Sequence, residues 1–421
     1  MDNLKKILLE NNVAAAQELL SDPNIANQLD LACFDFGMPP MAASRSREMA
    51  TLMLDHGASL ERVSDWWAPG FWLQNVDTEV ADFLVASGAQ LTVHAAAGLG
   101  LVERLETMLE NDPTLTNVKG GDGARPLHFA RNIEVAEILL HHGADINARD
   151  DDHHSTPAQW LLGDRPEVVR LLLNAGAEPD VFIAVGLDDL ERVRQSVDVD
   201  PTCTGYRIGN NSGPYPGIGF GGGGGTILQW TLGFNRSPHE IALDRGQHEI
   251  FEFLLERTAA KSKLLVACMI GDEALAQSTL AENPNIFSEF NEDDRTLLAR
   301  ACWETNRNTK AVRIMLDLGF PVDTPEGNHG YAPLHNAAWD GNTELVQLLI
   351  ERGHPIELKD PSFNATPLGW CIHAATEGRC ASNDYAGTVK SLIDAGANFD
   401  KHTYPTGHTA IDKVLESTLN L

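Results

Sequence analysis

Gly330-Tyr-Ala-Pro-Leu-His-Asn-Ala-Ala-Trp-Asp-Gly-Asn-Thr-Glu-Leu-Val-Gln-Leu-Leu-Ile-Glu-Arg-Gly-His-Pro-Ile-Glu357 is the stretch from which the fold is read. Pro333 suits a first helical position, where its missing N–H costs no hydrogen bond and its fixed backbone angle is already helical. Ala337 and Ala338 are small enough to let that helix lie close to a neighbour. Leu348 and Leu349 recur with Leu345 at helical spacing, so one face of a second helix is apolar. Gly353 then ends that helix, in a left-handed conformation that other residues resist. The stretch is therefore a helix, a tight turn and a second helix.

The same grammar recurs along the chain. Arg125-Pro-Leu-His pairs with Leu139-Leu-His-His-Gly-Ala-Asp-Ile-Asn, and Ser155-Thr-Pro-Ala-Gln-Trp with Leu171-Leu-Leu-Asn-Ala-Gly-Ala-Glu-Pro-Asp. Ser237-Pro-His-Glu-Ile-Ala and Ala365-Thr-Pro-Leu-Gly-Trp open further copies, the latter closed by Leu392-Ile-Asp-Ala-Gly-Ala. Ser or Thr before the proline supplies an N-cap. Gly57 and Gly88 lie 31 residues apart, Gly143 and Gly176 33, and Gly319 and Gly353 34. A longer rhythm overlies this one: Asp-Pro or Asn-Pro places Pro23, Pro113, Pro201 and Pro284 at intervals of 90, 88 and 83 residues.

These motifs resemble the ankyrin repeat, whose period is about 33 residues. The resemblance implies an all-α solenoid of about twelve helix–turn–helix units with β-hairpin-like finger loops, of the kind common in bacterial genomes. One continuous solenoid is expected over 1–421, with an irregular Trp-rich unit at 63–93, a glycine-rich insertion at 206–234 and a C-terminal capping unit at 400–421.

Bulk properties narrow the function. Sixty acidic against 31 basic residues give a formal net charge of −29. Such a surface repels nucleic-acid phosphates and anionic lipids, favours a basic partner, and also serves solubility. No stretch approaches the roughly 20 apolar residues that span a bilayer. The N-terminus reads as a short amphipathic helix without signal-peptide features, so a cytoplasmic location is expected. Cys33, Cys203, Cys268, Cys302, Cys371 and Cys380 form no C-x-x-C pair and suit neither a zinc framework nor disulfides.

Departures from the repeat carry the candidate sites. Ser64-Asp-Trp-Trp-Ala-Pro-Gly-Phe-Trp holds three of the eight tryptophans, Trp66, Trp67 and Trp72. They read either as a binding patch or as plugs of an irregular core. The glycine-rich segment has no Gly-Lys-Ser/Thr, which excludes a Walker loop. It reads as a long finger folding over the concave face with Tyr206, Arg207, Tyr215 and Phe220, or as a linker. Thr376 to Tyr385 lengthens the connection within a late unit. On the first helices stand His94, His128, Trp160, Trp230, His239, His335, Trp339, Trp370 and His373. His128 and His335 occupy the position where a histidine bonds neighbouring backbone, leaving Trp160, Trp339 and Trp370 as better groove residues. His153 and His154 read as a solvated finger tip, and no metal or cofactor is expected.

The resemblance implies a scaffold that engages a partner protein through its groove and through fingers such as Asp150–His154, Glu326–Tyr331 and Asp360–Asn364. The competing reading is a small-molecule, carbohydrate-like site or an enzyme, closed by the 206–234 loop. Asp35, Asp65, His239, Asp384 and Tyr385 are its titratable groups, but no pair shows a catalytic spacing, so enzyme status leans towards none. A purely structural spacer would need neither the Trp-rich unit nor the insertion.

Overall fold

The computed structural model describes residues 2–31, 34, 37–60, 76–210, 213–218, 223–303, 308–326, 330–378 and 383–419. Their regular secondary structure is helical. No strand forms among them, and the only pairings of that kind are two isolated bridges, Gly209 with Pro216 and Glu326 with Tyr331. The chain packs as two compact units, Met1–Pro179 and Asp180–Leu421.

In the Asp180–Leu421 unit the quoted stretch forms the helices Pro333–Trp339 and Thr343–Glu351. They stack between Leu297–Ala301 with Thr309–Asp317 on one side and Pro367–Thr376 with Tyr385–Asp394 on the other. First helices meet first helices and second meet second. Leu334, Ala337, Ala338, Leu345, Val346 and Leu349 are fully buried, and they join Leu298, Ala301, Val312, Met315, Cys371, Val389 and Leu392 in one core. Each helix pair covers its apolar side only through its neighbours.

Helix ends follow from local chemistry. Thr156 and Ser237 cap their helices in reciprocal boxes with Gln159 and Glu240. Gly353 takes φ +85°, and the next amide, His354 N–H, bonds back to the Leu349 carbonyl at 3.0 Å. Ala144 with Leu139, Ala177 with Leu172 and Ala397 with Leu392 repeat this six-residue closure at 2.9, 3.0 and 2.9 Å. The Asp-Pro rhythm is a capping device too. Asp22, Asp112 and Asp200 each accept the amide two residues on, at 2.9, 3.0 and 3.0 Å, so that the intervening proline starts a short helical turn.

Neighbouring units of the Met1–Pro179 unit are stitched at their loops. Asn117 donates to the Gly143 carbonyl at 2.9 Å and accepts the Asp145 amide at 2.9 Å, and Asn147 accepts the Glu178 amide at 2.9 Å. Here Arg125-Pro-Leu-His departs from the expected α-helix. It forms the short 3-10 turn Pro126–Phe129. The distance from His128 to Val135 is three residues shorter than from His335 to Leu345, so a turn of helix is missing before the Asn132 cap.

The glycine-rich segment also departs from expectation. Its described residues pack inward instead of forming a free finger. Ile208 is fully buried and its amide bonds to the Arg236 carbonyl at 2.9 Å. Tyr215 is buried with its ring 4.8 Å from Phe182. Gly225, at φ +70°, comes so near residues 217 and 218 that a Cβ would lie 2.6 Å from the Gly217 carbonyl carbon, so only glycine fits.

Three buried histidines serve as neutral groups. His128 Nδ1 accepts the Arg125 amide at 3.1 Å while Nε2 donates to the Ser155 carbonyl at 3.2 Å. Burial lowers His128, His239 and His354 to about 4. The unfolded chain binds protons at these rings below pH 6.5 and the folded chain does not until about pH 4, so their contribution is complete above pH 6.5 and is lost as pH falls through that window. Urea unfolding at pH 7 and pH 5 is expected to show a loss of roughly 1–2 kcal/mol per ring at the lower pH. His128→Gln should lower stability at pH 7 and flatten this pH dependence; an unchanged slope would count against the assignment.

Candidate functional site

The fingers are built on a repeated brace. In each, a backbone amide closes the loop: Asp150 N–H to Ser155 O at 3.2 Å, Glu326 N–H to Tyr331 O at 2.9 Å, and Asp360 N–H to Ala365 O at 3.0 Å. A buried carboxylate then fills two of the loops. Asp360 Oδ1 accepts the Ser362 and Phe363 amides at 2.9 and 2.6 Å, and Oδ2 accepts Ala365 N–H at 3.0 Å and the Trp370 indole N–H at 2.9 Å. Asp150 does the same with His153 N–H at 2.7 Å and the Trp160 indole at 2.8 Å. Both tryptophans stand ten positions after their aspartate. In the third, Glu326 accepts the Trp303 indole at 2.7 Å.

The environments tune these acids differently. Desolvation raises Asp150 above the usual carboxylate range despite the Trp160 bond. Desolvation also opposes ionisation of Asp360, but the Phe363 amide, the Trp370 indole and two further amides outweigh it and hold the carboxyl low. Burial lifts Glu326, with the Trp303 bond as partial offset.

The indole N–H groups of Trp160, Trp303 and Trp370 are satisfied from within, so what these rings offer their surroundings is their faces. In the Asp180–Leu421 unit they form a chain. Trp303 lies 6.4 Å from Tyr331, which lies 4.6 Å from Trp370. Trp339 sits 5.2 Å from Trp370 and 5.8 Å from His373, and Phe363 lies 6.1 Å from Trp370. Trp370 is buried, Trp303, Tyr331 and Trp339 are half-buried, and Phe363 at the finger tip is 70% exposed. A smaller cluster in the Met1–Pro179 unit joins Trp160 to Phe129 at 5.8 Å, His128 at 6.2 Å and His153 at 5.5 Å.

The structure thus brings together Trp339 and Trp370, and separately Trp160 and His153. His154, at φ +49°, is exposed, and its carbonyl accepts from Arg149 at 2.8 Å. Trp230 is 60% exposed and meets Phe234 edge-on at 5.1 Å. Tyr206 donates to Asp200 at 2.6 Å. Arg207 is not offered outward: it is buried, donates to the Asn235 carbonyl and pairs with Glu240 at 2.7 Å. His239 is fully buried against Thr258 at 2.8 Å. Tyr215 and Tyr385 are buried as well, whereas Asp384 is exposed and caps its helix through the Gly387 amide at 2.8 Å. Asp35, Trp66, Trp67, Trp72 and Phe220 lie outside the described residues.

The space beside Tyr206, Arg207, Ser237, Ser262 and Arg300 holds about 20 Å³, room for one water. Burial raises the thiols of Cys203 and Cys268 to about 12 and those of Cys302 and Cys371 further, so these four stay protonated and unreactive. Among the described residues no helix is long and apolar enough to cross a membrane.

Comparison with known proteins points one way. The sequence signature of ankyrin repeats in three copies matches residues 93–183 and 264–360. The human transient receptor potential cation channel subfamily A member 1 is 25% identical over 285 residues, 66% of this chain and 21% of its own length. Alpha-latrotoxin-Lh1a of Latrodectus hasselti is 32% identical over 150 residues, 33% of this chain and 10% of the toxin. Mouse ankyrin repeat and SAM domain-containing protein 6 is 25% identical over 133 residues, 30% of this chain and 15% of its own. The chain spans only a small part of each of these relatives. A crystal structure of the human ASB11 ankyrin repeat domain aligns at 20% identity over 74% of this chain and 100% of that one, with a TM-score of 0.26.

Sequence reasoning named Trp339 and Trp370 as groove candidates and placed Tyr331 and Phe363 in fingers, but it did not single out Trp303 or group these rings together. It also missed the aspartate brace, whose only trace is the matched spacing of Asp150 with Trp160 and Asp360 with Trp370. Trp370→Phe keeps a ring in the stack and removes the indole donor to Asp360. It is expected to cost about 1–3 kcal/mol in urea unfolding. A stability equal to that of the parent would show that the brace does not hold the finger.

Proposed function

From the premise that this chain is an ankyrin-repeat protein, we propose that it binds a basic, extended protein segment along the aromatic surface of its Asp180–Leu421 unit. Ankyrin repeats in general serve as protein–protein interaction modules. The observation that carries the finer reading is the ring chain from Trp303 through Tyr331, Trp370 and Trp339 to His373, with Phe363 standing 70% exposed at its edge.

Two physical arguments select the partner. Tryptophan and tyrosine faces attract Arg and Lys, at about 0.5–1 kcal/mol when exposed and about 2 or more when desolvated. The net charge of −29 draws positively charged chains towards the protein and repels acidic ones. Aromatic residues at a rigid finger also match the composition of binding hot spots. With the Trp303 and Trp370 indole donors taken, recognition there rests on ring faces and shape more than on new hydrogen bonds.

A small-molecule reading has less support. The inward packing of Arg207 and Tyr215 and the water-sized space beside them give no closing loop over a ligand-sized cavity among the described residues. Clefts of about 240 and 280 Å³ do occur; charged groups such as Arg194, Glu252 and Arg257 line most of the first, and Arg236, Glu240 and Asp244 lie in the second beside Leu243, Met269 and Ile270.

Selection of an unbiased displayed-peptide library on the full chain tests the proposal, followed by calorimetry on Trp339→Ala, Phe363→Ala. Selected peptides are expected to be rich in Arg or Lys, to bind more weakly at high salt, and to lose at least ~10-fold in affinity to the variant. Peptides without basic residues, or binding that the double substitution leaves unchanged, would overturn it.

A further inference from the structure

We propose that Asp122, Asp152 and His153 form a metal site that staples two neighbouring fingers of the Met1–Pro179 unit, selective for a divalent cation of the zinc or manganese type. One oxygen from each carboxylate and one ring nitrogen lie within 4.8 Å of one another. Asp152 Oδ2 is 3.5 Å from His153 Nε2. Zinc bonds to such donors are about 2.0–2.2 Å long, which sets tetrahedral donors roughly 3.4 Å apart. The Asp152–His153 separation already matches that spacing, and the Asp122 oxygen lies within 4.8 Å of both donors.

The backbone is already fixed. The Asp122 carbonyl accepts the amides of Asp151 and Asp152 at 2.7 and 3.3 Å, so the two fingers are joined beneath the three side chains. The His153 amide is held by Asp150 Oδ1 at 2.7 Å. Asp122 itself sits at φ +56°, a left-handed conformation that aspartate tolerates better than most residues.

The acidic run Asp150–Asp152 is not a uniform solvated patch, because its members are assigned differently. Asp150 is taken by the Trp160 indole and the loop amides. Asp151 is ion-paired with Lys119, at 2.7 and 2.8 Å. Asp152 alone joins His153 and the carboxylate of the preceding finger. All three donor residues are half-buried. Two carboxylates brought together from different fingers repel each other, and a doubly charged cation offsets that repulsion.

The donor set also selects the ion. An imidazole with two carboxylates suits zinc or manganese, whereas calcium and magnesium prefer oxygen ligands alone. Water completes the coordination on the outer side. From sequence His153 and His154 read as a solvated tip, because adjacent side chains point in different directions and rarely chelate together. The third donor is supplied instead by Asp122, thirty positions earlier than Asp152, on the other finger.

Zinc chloride, and separately manganese chloride, titrated by calorimetry into the chelator-treated full chain tests the site. One ion per chain is expected. Asp122→Asn and His153→Gln should each weaken it at least ~10-fold, while the His141→Gln, His142→Gln control should bind as the parent does. Asn suits the left-handed backbone and removes a like charge, so metal-free Asp122→Asn is expected to melt no lower than the parent. Zinc K-edge absorption of the parent complex needs no variant and should show one imidazole among oxygen donors. No binding, binding unchanged in either variant, loss in the His141/His142 control, or a shell of several histidines or sulfurs would overturn the site.

Discussion

A two-helix unit of about thirty residues leaves apolar surface on both of its broad sides, and nothing inside the unit can cover it. The stack is the consequence. Leu334, Ala337 and Ala338 disappear from solvent only because Leu298 and Ala301 lie on one side and Cys371 and Ala374 on the other. Backbone bonds reinforce the same adjacency. His128 ties its helix to the Ser155 carbonyl of the next finger at 3.2 Å, and His335 ties its own to Ala365 at 3.1 Å. Burial favours the neutral form of a histidine in this role, because the ring sits in a desolvated layer. Stability is therefore a sum over neighbours, and the acid sensitivity of the fold is distributed along it.

The fingers lie outside this core and cannot be held by apolar burial. Carboxylates hold them instead. A six-residue loop that presents several inward amides would carry unsatisfied donors. Asp360, and likewise Asp150, answers several of them at once and ends on an indole N–H from the following helix. This couples the shape of each finger to the helix that carries its tryptophan. The loop is rigid because the acid is buried, and the acid is tolerated in that place because the loop surrounds it with donors.

The helical framework was legible from residues alone, since Pro333, the Leu348–Leu349 pair and Gly353 each act within one or two turns. The tie made by His128 and His335 was legible for the same reason. What escaped depends on how distant segments meet. The glycine-rich segment read as a long finger over the concave face or as a linker, yet at Gly225 the missing side chain permits close approach to residues 217 and 218. Arg207 looked like a finger-loop residue and His239 like a first-helix groove residue, but Glu240 and Thr258 claim them in the interior. Trp303 and Phe363 gained meaning only once the turns at Glu326 and Asp360 set them beside Tyr331 and Trp370.

A docking surface of the kind proposed, with the Trp303 and Trp370 indole donors already bonded, would recognise partners in a particular way. Inserting an Arg or Lys over a ring face breaks no existing hydrogen bond, so the surface gives up little on binding. It also offers few directional contacts, and registration along the ring chain must come from the spacing of the partner's side chains. Charge and contact then divide the work. The field of a chain with net charge −29 acts at long range and fades with salt, so it would speed encounter with the proposed partner, whereas the packed rings would act only after contact and govern how slowly such a complex parts. A partner selected by both must be basic along its length and regularly spaced, which favours an extended segment over a single basic patch on a folded surface.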